Sequence, residues 1–412
     1  DKDPRKSINL IRFGLFMENI LTSKFPQKDT PDALKYLNKI CLDDIRNPLA
    51  HPDKTVWVNI FAPCEILSAL DLYPLSIEAF SSFMSGFKCE DFFIDRCENE
   101  GIAETLCSYH KTFIGASLYH MLDKPKFQVT TSIACDANIN TFRYAANLYS
   151  NPHYEIDVPY EYSKEAEEYV VSQLKEMIAL LEKSIHKKLD LDKLKEIIKT
   201  ENETKHYIKK YINSLKYKYY PSTLTLQMYM LFPSHISIGT KDTYKFFKML
   251  SEDIEKYPER KGKGIFWVHL IPFYHDVLRS YFNFNPDYQI LGYDLILDYL
   301  EDMDYNHPLE AIAKKMINNI YNGPYQRKVD AVLKMVDAVN ADGVINFCHF
   351  GCKQSSGGIM LLKNALMKKG IPFLPLDGDA VDRRNSHSGQ VKTRLEAFLE
   401  MLENLESKER NG

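Results

Sequence analysis

A strand that ends on a cysteine and runs straight into a helix occurs more than once in this chain, and that pattern leaves little freedom for the fold. The run Thr55-Val56-Trp57-Val58-Asn59-Ile60-Phe61 is rich in β-formers and stops at Ala62-Pro63-Cys64, after which Glu65 to Leu70 reads as helix. Phe127 to Ser132 repeats the pattern and feeds Ile133-Ala134-Cys135-Asp136, then an amphipathic helix through Phe142 and Tyr149. Strand, loop and helix in alternation imply a parallel α/β sheet, whose ligands lie beyond the carboxyl ends of the strands. A further strand is expected near Tyr154 to Val158.

The same material returns toward the C-terminus. Ile265 to His269, Gly343 to Phe347 and Pro372 to Leu376 are strand candidates, and the closing helix from Gly389 to Leu405 carries Val391, Leu395, Phe398 and Leu402 at packing spacing. Between the two α/β portions, residues 163 to 219 are rich in Lys, Glu and Leu and predict two long helices broken around Lys188 to Asp192, with helical character continuing to about Tyr257. Glu259 to Gly264 reads as a linker. Residues 7 to 48 read as two helices, the second from Pro31. The expected organisation is a helical arm over 1–50, a first α/β domain over 51–162, a helical segment over 163–262 and a second α/β domain over 263–412.

With 412 residues, 45% of them hydrophobic and a net charge of -4, the chain has ample material for several cores and no basic field of the kind that nucleic-acid binding requires. No apolar run approaches the roughly 20 residues that span a bilayer, and the first residues lack the apolar stretch of a signal peptide, so the expected address is cytoplasmic, with no membrane partner. In a reducing compartment the eight cysteines are not expected to pair, and those that cluster become candidate ligands.

Cys64, Cys107 and Cys135 fall at or near element ends of the first α/β portion, and Cys348 with Cys352 at a strand end of the second, so a cleft between the two could gather all five. The spacing lacks the tight pairs of a zinc ribbon, and thiolates on scattered loops suit an iron-sulfur cluster better. Cys41, beside Ile40 and Leu42, reads as core; Cys89 and Cys97 are intermediate. His349 and Lys353 flank the expected ligands and are candidates for moving a proton. Ser355, Ser356, Gly357 and Gly358 could cradle an anionic cofactor group or simply cap the next helix. Asp377-Gly378-Asp379 could be acid/base machinery or a turn.

Taken together, Cys352-Lys353-Gln354-Ser355, Leu376-Asp377-Gly378-Asp379, Asp382-Arg383-Arg384-Asn385 and Gly389 to Glu396 resemble the C-terminal signature of the 2-hydroxyacyl-CoA dehydratase component family, which includes benzoyl-CoA reductase subunits and double-cubane cluster proteins. Pro63 with Glu65, Cys107-Ser108-Tyr109 and Ala134-Cys135-Asp136 extend the resemblance over most of the chain from about residue 50. It implies two Rossmann- or flavodoxin-like parallel-sheet domains with an N-terminal helical arm and a helical middle segment. It also implies an oxygen-sensitive iron-sulfur cluster, pairing with a like subunit as homodimer or heterodimer, and an ATP-hydrolysing iron-sulfur activator that delivers low-potential electrons.

In dehydratase subunits the motif positions that bind one 4Fe-4S cluster correspond here to Cys107, Cys135 and Cys352. The electron goes to an acyl-CoA thioester, and water is lost through a ketyl radical. This sequence also has cysteine at positions 64 and 348. An 8Fe-9S double cubane calls in related proteins for about six thiolates, and Cys64, Cys107, Cys135, Cys348 and Cys352, with Cys97 or Cys89 as the sixth, would supply them. The surplus favours a double-cubane reductase of a small molecule over a dehydratase subunit.

Overall fold

The computed structural model describes Gly14 and residues 30–411, so the first helix expected in the arm lies, apart from Gly14, outside the described residues. The second is the helix Asp32–Ala50, which packs against the helix Lys241–Asp253 and buries Cys41, whose Sγ lies 3.3 Å from the carbonyl oxygen of Tyr229.

Two four-stranded, wholly parallel sheets organise the rest. The first contains β1 (Thr55–Val58), β2 (Tyr73–Ser76), β3 (Phe127–Thr131) and β4 (His153–Ile156) in the order β2-β1-β3-β4. The second contains β5 (Lys263–Val268), β6 (Tyr288–Tyr293), β7 (Gly343–His349) and β8 (Phe373–Gly378) in the order β6-β5-β7-β8. Each half therefore has the same topology. The chain adds a strand on one side of the first, then crosses to the other, which puts the switch points between β1 and β3 and between β5 and β7.

The central strands are buried end to end, as strands covered by helices on both faces must be: Val56, Trp57 and Val58 in β1, and Ile265 to Val268 in β5. The chain's two tryptophans hold corresponding places, Trp57-Val58-Asn59 and Trp267-Val268-His269, so Asn59 and His269 emerge at matching strand ends. Asn59 ties β1 to β3 there, its Nδ2 donating to Thr131 Oγ1 and its Oδ1 accepting from Thr131 N–H, both at 3.2 Å.

Two strands, β2 and β6, have no counterpart in the sequence reading. Both are edge strands, and Tyr73-Pro74-Leu75-Ser76 contains a proline, which an edge accommodates because the missing N–H can face away from the ladder. The middle segment forms the expected helices Lys164–Ile185 and Leu191–Leu215, started by Ser163 and Asp190 as N-caps.

Helix does not continue unbroken to Tyr257. Instead Leu224–Tyr229, a π-helical turn at Phe232–Ile236 and Lys241–Asp253 follow one another, because Pro221, Pro233 and Gly239 interrupt the ladder. The stretch expected as a linker is tied down: the Arg260 guanidinium is 2.9 Å from Asp342 Oδ2, and Lys263 already belongs to β5. Val391, Leu395, Phe398 and Leu402 are buried on the closing helix Ser388–Asn411, as their spacing predicts. Among the described residues no helix is long and apolar enough to cross a membrane.

The two halves are latched beside the strand ends. Ser108 Oγ donates to Asp379 Oδ1 at 2.5 Å, Ser85 Oγ to the carbonyl of Val381 at 2.9 Å, and Arg383 and Arg384 pair with Glu90 and Asp95.

Candidate metal centre

Cys107, Cys135 and Cys352 each occupy the residue just before a helix: Ser108–Leu118, Asp136–Tyr149 and Lys353–Ser356. All three line one cavity of about 910 Å³, counted with its open mouth, between the carboxyl ends of the two sheets. The loops that follow β1, β3, β5 and β7 form its rim. Met228, from the helix Leu224–Tyr229, and Leu231, Phe232 and Ile236, at the π-helical turn that follows, give it an apolar wall.

Two of the thiols are aimed by residues in the left-handed region. Ala134 (φ 69°) precedes Cys135, and Gly351 (φ 75°) precedes Cys352. A Cβ on Gly351 would sit 2.8 Å from the backbone N of Cys107 and the carbonyl of Thr105, so this glycine is what lets the Cys107 and Cys352 loops approach. Gly351→Ala is expected to lower stability by about 1–3 kcal/mol from backbone strain alone. It should also part the two thiols. A chemical-denaturation midpoint and the iron bound per chain check both effects.

A histidine lies against each thiol. His349 Nε2 is 3.2 Å from Cys107 Sγ, His269 Nε2 is 3.3 Å from Cys352 Sγ, and His110 Nε2 is 3.6 Å from Cys135 Sγ. Burial lowers the pKa of all three rings, to about 4 for His110. They are therefore neutral near pH 7. Burial and the neighbouring thiols Cys352 and Cys135 push Cys107 well up, and burial with Cys352 takes Cys135 to about 11.

Cys107 and Cys135 resist ionising where they stand, and a cation among the thiols would relieve that. Among the described residues no three His, Cys, Asp or Glu side chains are set closely enough to hold a single metal ion. Thiols that bind different corners of a polynuclear cluster stand farther apart than those that share one ion, and an all-thiol donor set suits iron-sulfur chemistry. The site fits a cluster.

The other candidate ligands point elsewhere. His349 and Cys348 are neighbours on β7 and so face opposite sides of the sheet; with His349 on the cavity, Cys348 turns toward Asn346, whose Nδ2 is 3.5 Å from its sulfur. Cys64 is fully buried at the start of the helix Cys64–Ala69, Cys97 is fully buried on the helix Glu90–Asn99, and Cys89 Sγ lies against the carbonyl of Met84. None of the four lines the cavity.

Lys353 is exposed and also lies outside the cavity lining. Ser355 and Ser356 turn their hydroxyls back onto the carbonyl of Cys352, at 2.9 and 2.8 Å, and Gly358 makes room for the Tyr325 ring, 2.2 Å from where its Cβ would be. Asp379 is a turn anchor, its Oδ1 accepting the N–H groups of Val381 and Asp382, while exposed Asp377 pairs with Arg394.

Residues 59–402 match the family described as 2-hydroxyglutaryl-CoA dehydratase, D-component. The chain belongs to that family. It is similar to the (R)-phenyllactyl-CoA dehydratase alpha subunit of Clostridium sporogenes, 25% identical over 381 residues that cover 85% of this chain and 90% of the relative. It is also similar to a benzoyl-CoA reductase subunit of Thauera aromatica, 24% identical over 346 residues, 74% of this chain and 78% of the relative. The (R)-2-hydroxyglutaryl-CoA dehydratase alpha subunit of Acidaminococcus fermentans is 23% identical over 303 residues, 68% of this chain and 61% of the relative.

As a family member the chain is an enzyme component. Within it, His110, His269 and Glu78 are cavity residues that the sequence reading passed over. His110 follows Cys107 by three residues at the start of a helix and His269 closes a predicted strand, so position alone could have flagged both. Glu78 carries no such signal, because it reaches the cavity from beyond the unexpected strand β2.

Proposed function

We propose that this chain is the cluster-bearing subunit of a 2-hydroxyacyl-CoA dehydratase, with Cys107, Cys135 and Cys352 holding one four-iron cluster and the acyl end of a CoA thioester entering the cavity beside them. The carrying observation is the convergence of those three thiols on one cavity while Cys64, Cys97 and Cys348 point elsewhere. A double cubane needs about six thiolates, so the same observation favours the dehydratase over the double-cubane reductase. The names of the relatives as alpha subunits support a related second subunit as partner. When bound, the cluster supplies the low-potential electron that an ATP-hydrolysing activator delivers for the thioester carbonyl.

The chain's own residues bind, exclude water and hold a proton. The apolar wall of Phe232, Leu231 and Ile236 shields the acyl group. Glu78 is a carboxyl of the cavity wall, its pKa raised by burial; Ser76 Oγ donates to its Oε2 at 2.8 Å. Oε1 has a long contact, 3.4 Å, with the N–H of Ile60, and we assign the proton to this oxygen. Glu78→Gln is expected to slow dehydration by about 10²–10⁴-fold with iron content unchanged, and a change of less than about threefold would remove Glu78 from the chemistry.

The function is tested with the anaerobic chain, its partner subunit and activator, supplied with 2-hydroxyacyl-CoA thioesters of differing acyl size. Water loss that requires both ATP and activator supports the reading. Absence of thioester binding by the iron-loaded complex overturns it.

A further inference from the structure

The contacts between imidazoles and thiols have a direction that the geometry of His349 fixes. Its Nδ1 lies 3.0 Å from the backbone N–H of Ala380. An amide N–H can only donate, so Nδ1 presents its lone pair, the ring carries one proton, and that proton is on Nε2, the nitrogen 3.2 Å from Cys107 Sγ. Asp379, 3.6 Å from Nδ1, does not compete for a ring proton, because its Oδ1 already accepts from Ser108 Oγ and from the N–H groups of Val381 and Asp382. Both ring nitrogens are thus committed, and His349 has none free to take a proton from a substrate.

His269 repeats the arrangement with less support around the ring. Its backbone is held in the left-handed region (φ 74°) by an N–H donated to buried Asp294 Oδ1 at 2.6 Å, a strained conformation that turns the ring toward Cys352. Its Nδ1 has no hydrogen-bond partner among the described residues. An unpaired acceptor is tolerated more readily than an unpaired N–H, which again puts the proton on the nitrogen that faces sulfur. For His110, Nδ1 lies 3.0 Å from Thr141 Oγ1, a hydroxyl able to donate, so the third ring can take the same tautomer.

We propose that His349, with His269 and His110 as its counterparts, is a positioning residue that donates a neutral N–H to a cysteine sulfur and thereby raises the reduction potential of the group those sulfurs bind. The proposal rests on the reading that Cys107, Cys135 and Cys352 are the cluster ligands. A hydrogen bond to a ligating sulfur draws off charge and stabilises the more negative, reduced form, and outer partners of this kind tune a metal site as surely as its ligands do. Because the donors are uncharged, they do so without placing a net cation in the site. Their demand on the sequence is specific: a ring nitrogen aimed at sulfur and a second nitrogen pinned from behind.

The test is a redox titration, followed by electron paramagnetic resonance, of the full chain in its complex. His349→Phe keeps a ring and removes the donor; His349→Gln keeps an amide N–H near the Nε2 position. The expected result is full iron content in both variants, a shift of the midpoint potential to more negative values in His349→Phe, and return toward the parent value in His349→Gln. An iron-loaded His349→Phe variant with an unchanged potential overturns the proposal. Should that variant fail to fold or to load, nitrogen NMR of the unmutated chain decides: an Nε2–H tautomer for His349 supports the proposal, and an Nδ1–H tautomer overturns it. If the unmutated chain binds no iron, the cluster reading falls, and the tautomer still decides the direction of the hydrogen bond.

Discussion

Alanine at Cys107, Cys135 or Cys352 is expected to leave the chain without its iron and without activator-dependent turnover, whereas alanine at Cys64, Cys97 or Cys348 leaves the iron content unchanged. The two sets differ in where the sulfur points, not in how buried it is. Cys107 and Cys64 are both deep in the protein, at 9% and 0% exposure, yet only Cys107 reaches the cavity. Loss of an outer partner of a metal ligand already costs ~10–100-fold in affinity, so loss of a ligand itself should exceed that. Cys348→Ala is the sharpest member of the series. It lies four residues from Cys352 and next to His349, and only the alternation of β7 turns it away. Iron analysis of the six purified variants checks the set, and loss of iron from Cys348→Ala would return the double cubane to favour.

That alternation also marks where sequence reading stops. The parallel α/β class, the strands at Thr55, Phe127, Ile265, Gly343 and Phe373, and the placing of Cys135 and Cys352 beyond strand ends are all legible, because short β-rich runs followed by amphipathic helices have few other solutions. The edge strands β2 and β6 are not, since an edge strand needs no continuous apolar run. Nor is the choice among the cysteines. Which thiol faces the cavity depends on register and on the left-handed turns at Ala134 and Gly351, and neither is written in composition or spacing. The pairing of each imidazole with its thiol is not legible for a further reason: Cys107 and His349, for example, are 242 residues apart and meet only when the two sheets close on each other.

Lys315→Met is expected to produce the largest loss of stability, about 3–5 kcal/mol, because it leaves a buried carboxylate without its counter-charge. Lys315 Nζ lies 2.8 Å from Glu65 Oε1 and 2.9 Å from Glu201 Oε1, and Lys205 Nζ lies 2.8 Å from the same oxygen of Glu201. Two cations and two anions therefore close a neutral network that joins the helix after β1 to the long middle helix Leu191–Leu215 and to the helix Pro308–Asn318. Glu201 keeps its direct pair with Lys205 when Lys315 is lost; Glu65, 2% exposed, is left with no direct ion pair among the described residues, only the more distant charge of Lys205.

The pH dependence follows from the sign of the Glu65 shift. Burial, only partly offset by Lys315, already raises its pKa, and removing Lys315 raises it further. A carboxyl whose folded pKa exceeds its unfolded value binds more protons when folded, so the deficit of Lys315→Met should shrink as pH falls from about 8 to about 5. Denaturation midpoints across that range test this, and the double variant Glu65→Gln with Lys315→Met should recover most of the loss. An equal deficit at every pH, with no recovery in the double variant, would mean that Lys315 acts through packing. Glu65 is one of the residues that carry the resemblance to the family, and this network accounts for it without giving it a place at the cluster.

The measurement that bears most directly on the whole account is iron and sulfide per chain, determined on anaerobically purified protein with electron paramagnetic resonance before and after reduction. About four irons per chain, with the spectrum of a single reducible four-iron cluster, is the predicted result. About eight irons with coupled-spin signals would contradict it.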